Sequence, residues 1–151
     1  MGGLKGRGER HLLAVEGGKL LLIDESYNAN PASMAATLKS LGEEQDIARR
    51  IAVLGPMREL GEQSDALHAG LAPAALDAKV DRLILIGDDM EPLARALDRQ
   101  VAVARAIGAD DAAALLLADA RPGDAVLVKA SNSVGLAKLV ERVVGELPCF
   151  T

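Results

Sequence analysis

LLLIDESYNANPASM, residues 20 to 34, contains an apolar strand, a polar turn and the start of a helix. The four apolar residues that open it predict a buried strand. Asn30 is a good N-cap, and Pro31 suits the first helical position, where its missing N–H costs nothing. Open α/β sheets bind their ligands at the carboxyl ends of the strands. We therefore interpret the turn as a ligand-facing loop with five exposed polar side chains, namely Asp24, Glu25, Ser26, Tyr27 and Asn28.

Strand and helix patterns alternate along the rest of the chain. The short connection Glu16-Gly17-Gly18 is typical of a hairpin, so the first strand should be antiparallel. The predicted strands are residues 11–15, 19–25, 51–54, 82–86, 101–104 and 125–129. The predicted helices are residues 31–41 ending at Gly42, about 64–77 with an interruption at Pro73, 92–97, 110–118 and about 133–144. This order predicts a doubly wound, Rossmann-like α/β sheet of about six strands, five parallel and one antiparallel, with helices on both faces.

Composition bounds the size and the partners of the protein. Its 151 residues, 50% hydrophobic and 26% charged, fit one domain. A formal charge of −5, without a basic patch or interleaved aromatic residues, argues against nucleic acid as a partner. The sequence has no run of 18 apolar residues, so we expect no membrane insertion and a cytoplasmic location. The single cysteine, Cys149, is interpreted as a thiol near the chain terminus, outside any disulfide or metal cluster.

Three separated blocks carry a family resemblance. They are IDESYNANPASM at residues 23–34, VLGPMRELG at residues 53–61 followed by His68, and VLVKASNS at residues 126–133. In this order and spacing they resemble the C-terminal domain of the Mur ligase family, and among its members the ligases that add D-Ala-D-Ala to UDP-MurNAc-tripeptide. The resemblance runs from about residue 4 to residue 144. It implies a linker from a missing central ATPase domain at residues 1–11 and a Mur ligase C-terminal domain at residues 12–151.

The resemblance also implies a division of labour between domains. In such a ligase the central domain binds most of the ATP and Mg, and the N-terminal domain binds the uridine nucleotide. This chain has no G-x-x-x-x-G-K-[ST] phosphate loop, which fits that division. Its expected function is to close over ATP and to bind the incoming dipeptide. The isolated domain is expected to be inactive, and we assign it no catalytic residue and no metal ligand.

Six residues are expected to contact the nucleotide. Asp24 and Glu25 suit a ribose or a magnesium-bound water, because carboxylates accept hydrogen bonds and a ribose diol offers two donors; solvated strand-end acids are the alternative. The family places an aspartate on the ribose where this chain has Glu25. By resemblance Arg7 would reach the phosphates, as a guanidinium stays charged and donates in a fork. Asn30 has helix capping as an alternative role, and Tyr27 has packing against a helix. The full set is Arg7, Asp24, Glu25, Tyr27, Asn28 and Asn30.

The loop after the last strand is expected to hold the incoming amino acid. A lysine can pair with its carboxylate, and hydroxyl and amide groups can bond the rest. By resemblance the substrate-binding residues are Lys129, Ser131, Asn132 and Ser133. A strand-end lysine over the start of a solvated helix is the alternative. Ala130 stands where the family usually has glycine, so a positive φ there would be strained.

The second block receives no catalytic role. Glu59 and His68 are its notable polar side chains, and a histidine on an amphipathic helix usually has a structural role. The family commonly has aspartate where this chain has Pro56, which removes one carboxylate and one backbone donor.

Two other functions are compatible with such a sheet. A dinucleotide-dependent oxidoreductase is disfavoured, because no G-x-G-x-x-G follows the strand at residues 20–23. A non-catalytic Rossmann-like binding or interaction module remains as the alternative.

Overall fold

A mixed β-sheet organises the molecule. The computed structural model describes residues 8–131 and 135–150. The strands are β1 (Glu9–Val15), β2 (Gly18–Glu25), β3 (Arg49–Leu54), β4 (Arg82–Ile86), β5 (Ala102–Ala106) and β6 (Asp124–Lys129). The α-helices are α1 (Pro31–Glu43), α2 (Ser64–Ala69), α3 (Ala72–Asp77), α4 (Glu91–Leu97), α5 (Ala109–Ala118) and α6 (Leu136–Glu146). None of these described helices is long and apolar enough to span a bilayer.

The strand order places the last strand in the middle of the sheet. The order is β1-β2-β6-β3-β4-β5. β1 pairs antiparallel with β2, and the other neighbours pair in parallel. All residues of β6 are buried, as expected for a central strand covered on both faces. The predicted six-stranded, doubly wound sheet with one antiparallel strand is confirmed.

The sheet separates two apolar layers, because alternate residues of each strand point to opposite faces. One layer lies between the sheet and α1, α3 and α4, and the other lies between the sheet and α5 and α6. Met34, Leu38 and Leu41 of α1, which were predicted core positions, are fully buried. Both aromatic residues, Tyr27 and Phe150, are exposed. Aliphatic side chains therefore fill both layers.

Two helices differ in detail from the prediction. The region 64–77 forms two helices, α2 and α3, and Pro73 lies in the first turn of α3, where the helix needs no N–H from it. The predicted interruption is thus confirmed. The predicted helix end at Gly42 is wrong, since α1 continues to Glu43. Gly42 serves close packing instead, because a Cβ at this position would lie 2.8 Å from the Cα of Ala78.

The last described residues cover part of the free edge of β1. Ala14 N–H donates to Pro148 O at 2.7 Å, and Phe150 N–H donates to Leu12 O at 3.0 Å. Cys149 between them is exposed and carries a free thiol. An unpaired strand edge is a template for association with other chains, so this short pairing shields that edge.

An ionic cluster ties β3 to β6 where both strands begin. Arg49 donates two hydrogen bonds to the carboxylate of Asp124, at 2.9 and 2.8 Å, and one to Asp119 Oδ2 at 2.8 Å. Asp124 is only 1% exposed. The hydrogen bonds to Asp124, and secondarily those to Asp119, raise the pKa of Arg49 above its usual value. Conversely, the hydrogen bond from Arg49 lowers the pKa of Asp119.

Replacing Arg49 should therefore destabilise the fold strongly. Arg49→Met would leave the buried Asp124 charge without its cation, and breaking a buried pair from one side costs about 3 kcal/mol or more in the free energy of unfolding. Urea unfolding followed by circular dichroism measures this loss. The matched control is Arg95→Met, since the Arg95 side chain is 80% exposed and pairs with Glu91 only at 3.7 Å. A loss for Arg49→Met no larger than that for Arg95→Met would contradict a structural role for the cluster.

Candidate functional site

The three sequence blocks meet at one edge of the sheet. The first block ends β2, the third ends β6 and the second ends β3, and these strands are neighbours. The strands also end level, since Lys129 is paired in register with Glu25 on one side and with Leu54 on the other. The parallel pairing therefore brings together loops that are far apart in the sequence. This edge is the candidate functional site.

Asp24 and Glu25 lie on opposite faces of the sheet. Ile23 belongs to the apolar layer on the α1 side and Leu22 to the layer on the α5 and α6 side. By strand alternation, Glu25 shares the α1 side and Asp24 shares the other. The two carboxylates cannot therefore act as interchangeable ligands at one position.

The predicted exposure of Asp24 and Ser26 is wrong. They are 2% and 3% exposed, and the Ser26 N–H donates to Asp24 Oδ1 at 3.0 Å. The reason is that Asp24 is still flanked on both sides, by Glu9 of β1 and by Val128 of β6, and its carboxylate lies close to the side chains of Glu9 and His11. The position of Asp24 and Ser26 after an apolar run suggested a solvent-exposed turn, whereas the neighbouring strands flank the end of β2.

Lys129 links the third block to the first. The residue is 4% exposed, and its Nζ donates to the backbone carbonyl of Asn28 at 2.8 Å. Burial lowers the pKa of Lys129, and the nearby charge of Glu25 partly opposes that shift. An ammonium has three N–H donors, and Asn28 takes one of them. This strand-end lysine is therefore buried and bonded to the loop of the first block.

The loop of the first block exposes an aromatic ring and an amide. Tyr27 is 46% exposed, and Asn28 is exposed with its Oδ1 accepting from the Ala29 N–H at 2.9 Å. Asn30 caps α1 through a reciprocal pair of bonds with Ser33, at 2.8 and 3.1 Å. The capping prediction for Asn30 is confirmed. This cap uses the side-chain oxygen of Asn30, so Tyr27 and Asn28 are the exposed side chains of the loop that do not take part in capping α1.

The loop of the second block is held by backbone bonds and by one buried histidine. The Gly55 N–H donates to Lys129 O at 2.9 Å, and the Ser131 N–H donates to Pro56 O at 3.2 Å. His68 is fully buried, and its Nε2 accepts from the Met57 N–H at 3.0 Å. The structural role expected for His68 is confirmed, but its partner Met57 could not be predicted from the sequence. Only its spacing after the loop was visible.

The loop of the third block is only partly described. Ser131 is 9% exposed and Ala130 is fully buried in the layer on the α5 and α6 side. Ala130 is absent from the residues with positive φ, so the expected strain does not arise. The remaining predicted site residues of this set, Asn132 and Ser133, lie outside the described residues, as does Arg7.

One group of side chains near the edge has metal-ligand types. Oxygen or nitrogen atoms of Glu9, His11 and Asp24 lie within 4.8 Å of one another. His11 Nε2 contacts Glu9 Oε1 at 3.2 Å, and Asp24 accepts from the Ser26 N–H. These contacts already account for the three groups, and we assign no metal to them.

The sequence of this chain matches a known protein family. The family described as "Mur ligase, glutamate ligase domain" matches residues 6–132, which is most of the chain. The chain belongs to the Mur ligase family. The match contains the first two blocks in full and the third up to Asn132.

Two relatives of this chain from Mycobacterium have the same enzyme name. The UDP-N-acetylmuramoyl-tripeptide--D-alanyl-D-alanine ligase of Mycobacterium leprae is 40% identical over 145 residues, covering 83% of this chain and 28% of that protein. The protein of the same name from Mycobacterium bovis is 37% identical over 165 residues, covering 93% of this chain and 32% of that protein. This Mur ligase domain therefore spans less than a third of the length of these relatives.

Solved structures share the fold. The MurF ligase of Thermotoga maritima in complex with ADP superposes with a TM-score of 0.73 at 24% identity, over 93% of this chain and 31% of that one. A MurF structure from Acinetobacter baumannii gives a TM-score of 0.77 at 21% identity, over 95% of this chain and 31% of that one. At these identities the likeness establishes the fold of the Mur ligase domain.

Two substitutions of Asn30 test whether its side chain acts as a cap. Asn30→Ala removes the cap and should lower the free energy of unfolding by about 1 kcal/mol, whereas Asn30→Asp keeps an accepting oxygen and should change it little. Urea unfolding of this chain measures both. Equal losses for the two variants would mean that the amide nitrogen, not the cap oxygen, stabilises the loop.

Proposed function

We propose that this Mur ligase domain is the C-terminal domain of an ATP-dependent ligase that adds D-Ala-D-Ala to UDP-MurNAc-tripeptide. The observation that carries the proposal is the meeting of the three blocks at one sheet edge. The 40% identity to the Mycobacterium leprae enzyme of that name supports the choice of substrate. Because the chain covers 28% of that enzyme, the proposed role is a contribution from one domain, and the central and N-terminal domains are its proposed partners.

The proposed nucleotide contacts lie on the first block. Glu25 is partly exposed and faces the same side of the sheet as Lys129, so its carboxylate is proposed to accept from the ribose hydroxyls. Tyr27 and Asn28 are exposed beside it and are proposed to contact the nucleotide. Asp24 is proposed to act indirectly, by shaping the turn through its bond to Ser26.

Two further nucleotide contacts remain predictions. Arg7 is proposed to reach the phosphates from the linker, because its guanidinium stays charged at any working pH. Asn30 is proposed to support the loop through its cap, since its side-chain oxygen is bound to Ser33. The boundary between a linker at residues 1–11 and a domain from residue 12 is likewise a proposal; β1 begins at Glu9.

The proposed dipeptide contacts lie on the third block. Lys129 is buried at the carboxyl end of β6, where its positive charge would attract the carboxylate of the incoming dipeptide. Ser131, Asn132 and Ser133 are proposed to bond the rest of the substrate. Lys129 also holds the Asn28 carbonyl, so one side chain touches both proposed ligand loops.

The nucleotide supplies the phosphoryl group that activates the carboxylate of UDP-MurNAc-tripeptide, and Mg would be held mainly by the central domain. The residues of this domain bind and orient, and on closing they exclude water from the site. A nucleoside with a diol fits the donors and acceptors described here, namely a partly exposed carboxylate, an exposed ring and an exposed amide. Because ATP is the proposed cosubstrate, the cytoplasm is the proposed compartment.

Phosphate release tests the proposal directly. This chain is assayed as the C-terminal domain of a three-domain ligase, joined if necessary to the first two domains of the Mycobacterium leprae relative. Given UDP-MurNAc-tripeptide and Mg-ATP, release should depend on added D-Ala-D-Ala, and the isolated chain should release none. A well-folded three-domain protein without dipeptide-dependent release would favour the alternative of a non-catalytic binding module.

Removing the charge of Lys129 should affect the dipeptide more than ATP. Lys129→Met in the three-domain ligase is expected to raise the KM for D-Ala-D-Ala about tenfold, the order expected from loss of one charge-assisted contact. The KM for ATP should rise less. Lys138→Met is the matched control, because Lys138 is an exposed lysine on α6. An equal effect on both KM values, or a larger one on ATP, would remove Lys129 from the dipeptide site.

A further inference from the structure

We infer that His68 is a positioning residue that sets the orientation of the Ser131 segment through a single peptide group. The inference rests on the proposed function, since Ser131 belongs to the proposed dipeptide site. His68 lies on α2, is fully buried, and has been given no part in binding.

The partners of the imidazole fix its protonation. His68 Nδ1 lies 2.7 Å from the Ser64 carbonyl oxygen, which can only accept, so Nδ1 carries the hydrogen. The backbone N–H of Met57 can only donate, so Nε2 is the acceptor, at 3.0 Å. The ring is therefore neutral and held in one tautomer. Both of its nitrogens are bonded to backbone groups.

The group that His68 holds is the peptide between Pro56 and Met57. Its N–H donates to the imidazole, and its carbonyl accepts from the Ser131 N–H at 3.2 Å. A trans peptide is planar, with its N–H and C=O pointing in opposite directions, and no cis peptide is present in the described residues. Fixing the N–H therefore fixes where the carbonyl points. His68 therefore acts on Ser131 through one planar, rigid peptide group.

The loop is anchored by packing of Met57 in the apolar layer on the α1 side and by an ion pair of Arg58 with Asp89 at 3.7 Å, and this peptide is the part of it that bonds to Ser131. Residues 55–60 contain no helix or strand. Their backbone bonds to β6 and to the loop after it run from the Gly55 N–H to Lys129 O and from the Ser131 N–H to Pro56 O. Met57 is 2% exposed, so water cannot easily replace the imidazole as an acceptor. Without His68, the buried N–H of Met57 would lack its acceptor. The cost of this unsatisfied donor would favour rotation of the peptide. Rotation would break the hydrogen bond from the Ser131 N–H to the Pro56 carbonyl.

Hydrogen exchange on this chain tests the orienting role without any activity assay. His68→Met removes both nitrogens, and His68→Gln returns an accepting oxygen within reach of Met57. Exchange at the Ser131 and Met57 amides should accelerate at least about tenfold in His68→Met, relative to Gly55, as for loss of a net hydrogen bond. The Gln variant should recover part of the protection. Leu71→Ala is the matched control, since it weakens the packing beside α2 and leaves the peptide bonded.

Unchanged Ser131 exchange in folded His68→Met would overturn the inference, as would equal acceleration in Leu71→Ala. Should the Met variant not fold, the imidazole nitrogens of the unmodified chain decide: a hydrogen on Nε2 by nitrogen NMR would overturn it, and one on Nδ1 alone, with partial protection in His68→Gln, would support it.

Kinetics of the three-domain ligase then connect the orienting role to function. His68→Met should raise the KM for D-Ala-D-Ala about tenfold with little change in the KM for ATP, and His68→Gln should restore part of the loss. A general loss of packing would lower kcat and the amount of folded enzyme without this split. Equal effects on the two KM values would overturn the positioning role. If the unmodified ligase is inactive, the proposed function fails, while the exchange result still decides how His68 acts on Ser131.

Discussion

Pairing of β6 with β2 on one side and with β3 on the other is the interaction on which the rest of the structure depends. It joins the last strand to strands from the first half of the chain, and Lys129 thereby reaches Asn28 across 101 positions of sequence. Two anchors hold the strand. The Arg49–Asp124 pair fixes its start, and the Gly55–Lys129 backbone bond fixes its end. Both anchors act on backbone or buried groups, where hydrogen bonds are strongest.

The polar groups of the candidate site are consequences of that pairing. Asp24, His68 and Lys129 are all buried and hydrogen-bonded, Asp24 within its own turn and the other two to a neighbouring segment. A buried polar group without a partner is costly, so these side chains restrict the loops to one arrangement. A stiff edge of this kind would suit the proposed role, in which this domain contacts ligands that the central domain binds. It limits the ordering that binding would otherwise require.

Sequence reasoning succeeded where the signal was local. The Asn30 cap, the interruption near Pro73 and the core positions of α1 follow from caps, proline geometry and helical spacing, which involve residues a few positions apart. It failed at Asp24 and at Gly42 for the opposite reason. Asp24 is enclosed by strands from elsewhere in the chain, and Gly42 is explained by its approach to Ala78. These neighbours do not belong to the local sequence around Asp24 or Gly42, so local patterns do not indicate them.

The sequence by itself determined the alternation of strands and helices, the single antiparallel strand and the three blocks that mark the family. Periodicity and turn chemistry decide these features, and both act over short distances along the chain. Only the tertiary structure decided that Asp24 and Glu25 face opposite sides, that Lys129 is buried under the Asn28 loop, and that His68 holds the Met57 peptide. Those facts depend on the register of strands that pair across the whole chain, and register is a property of the packed sheet.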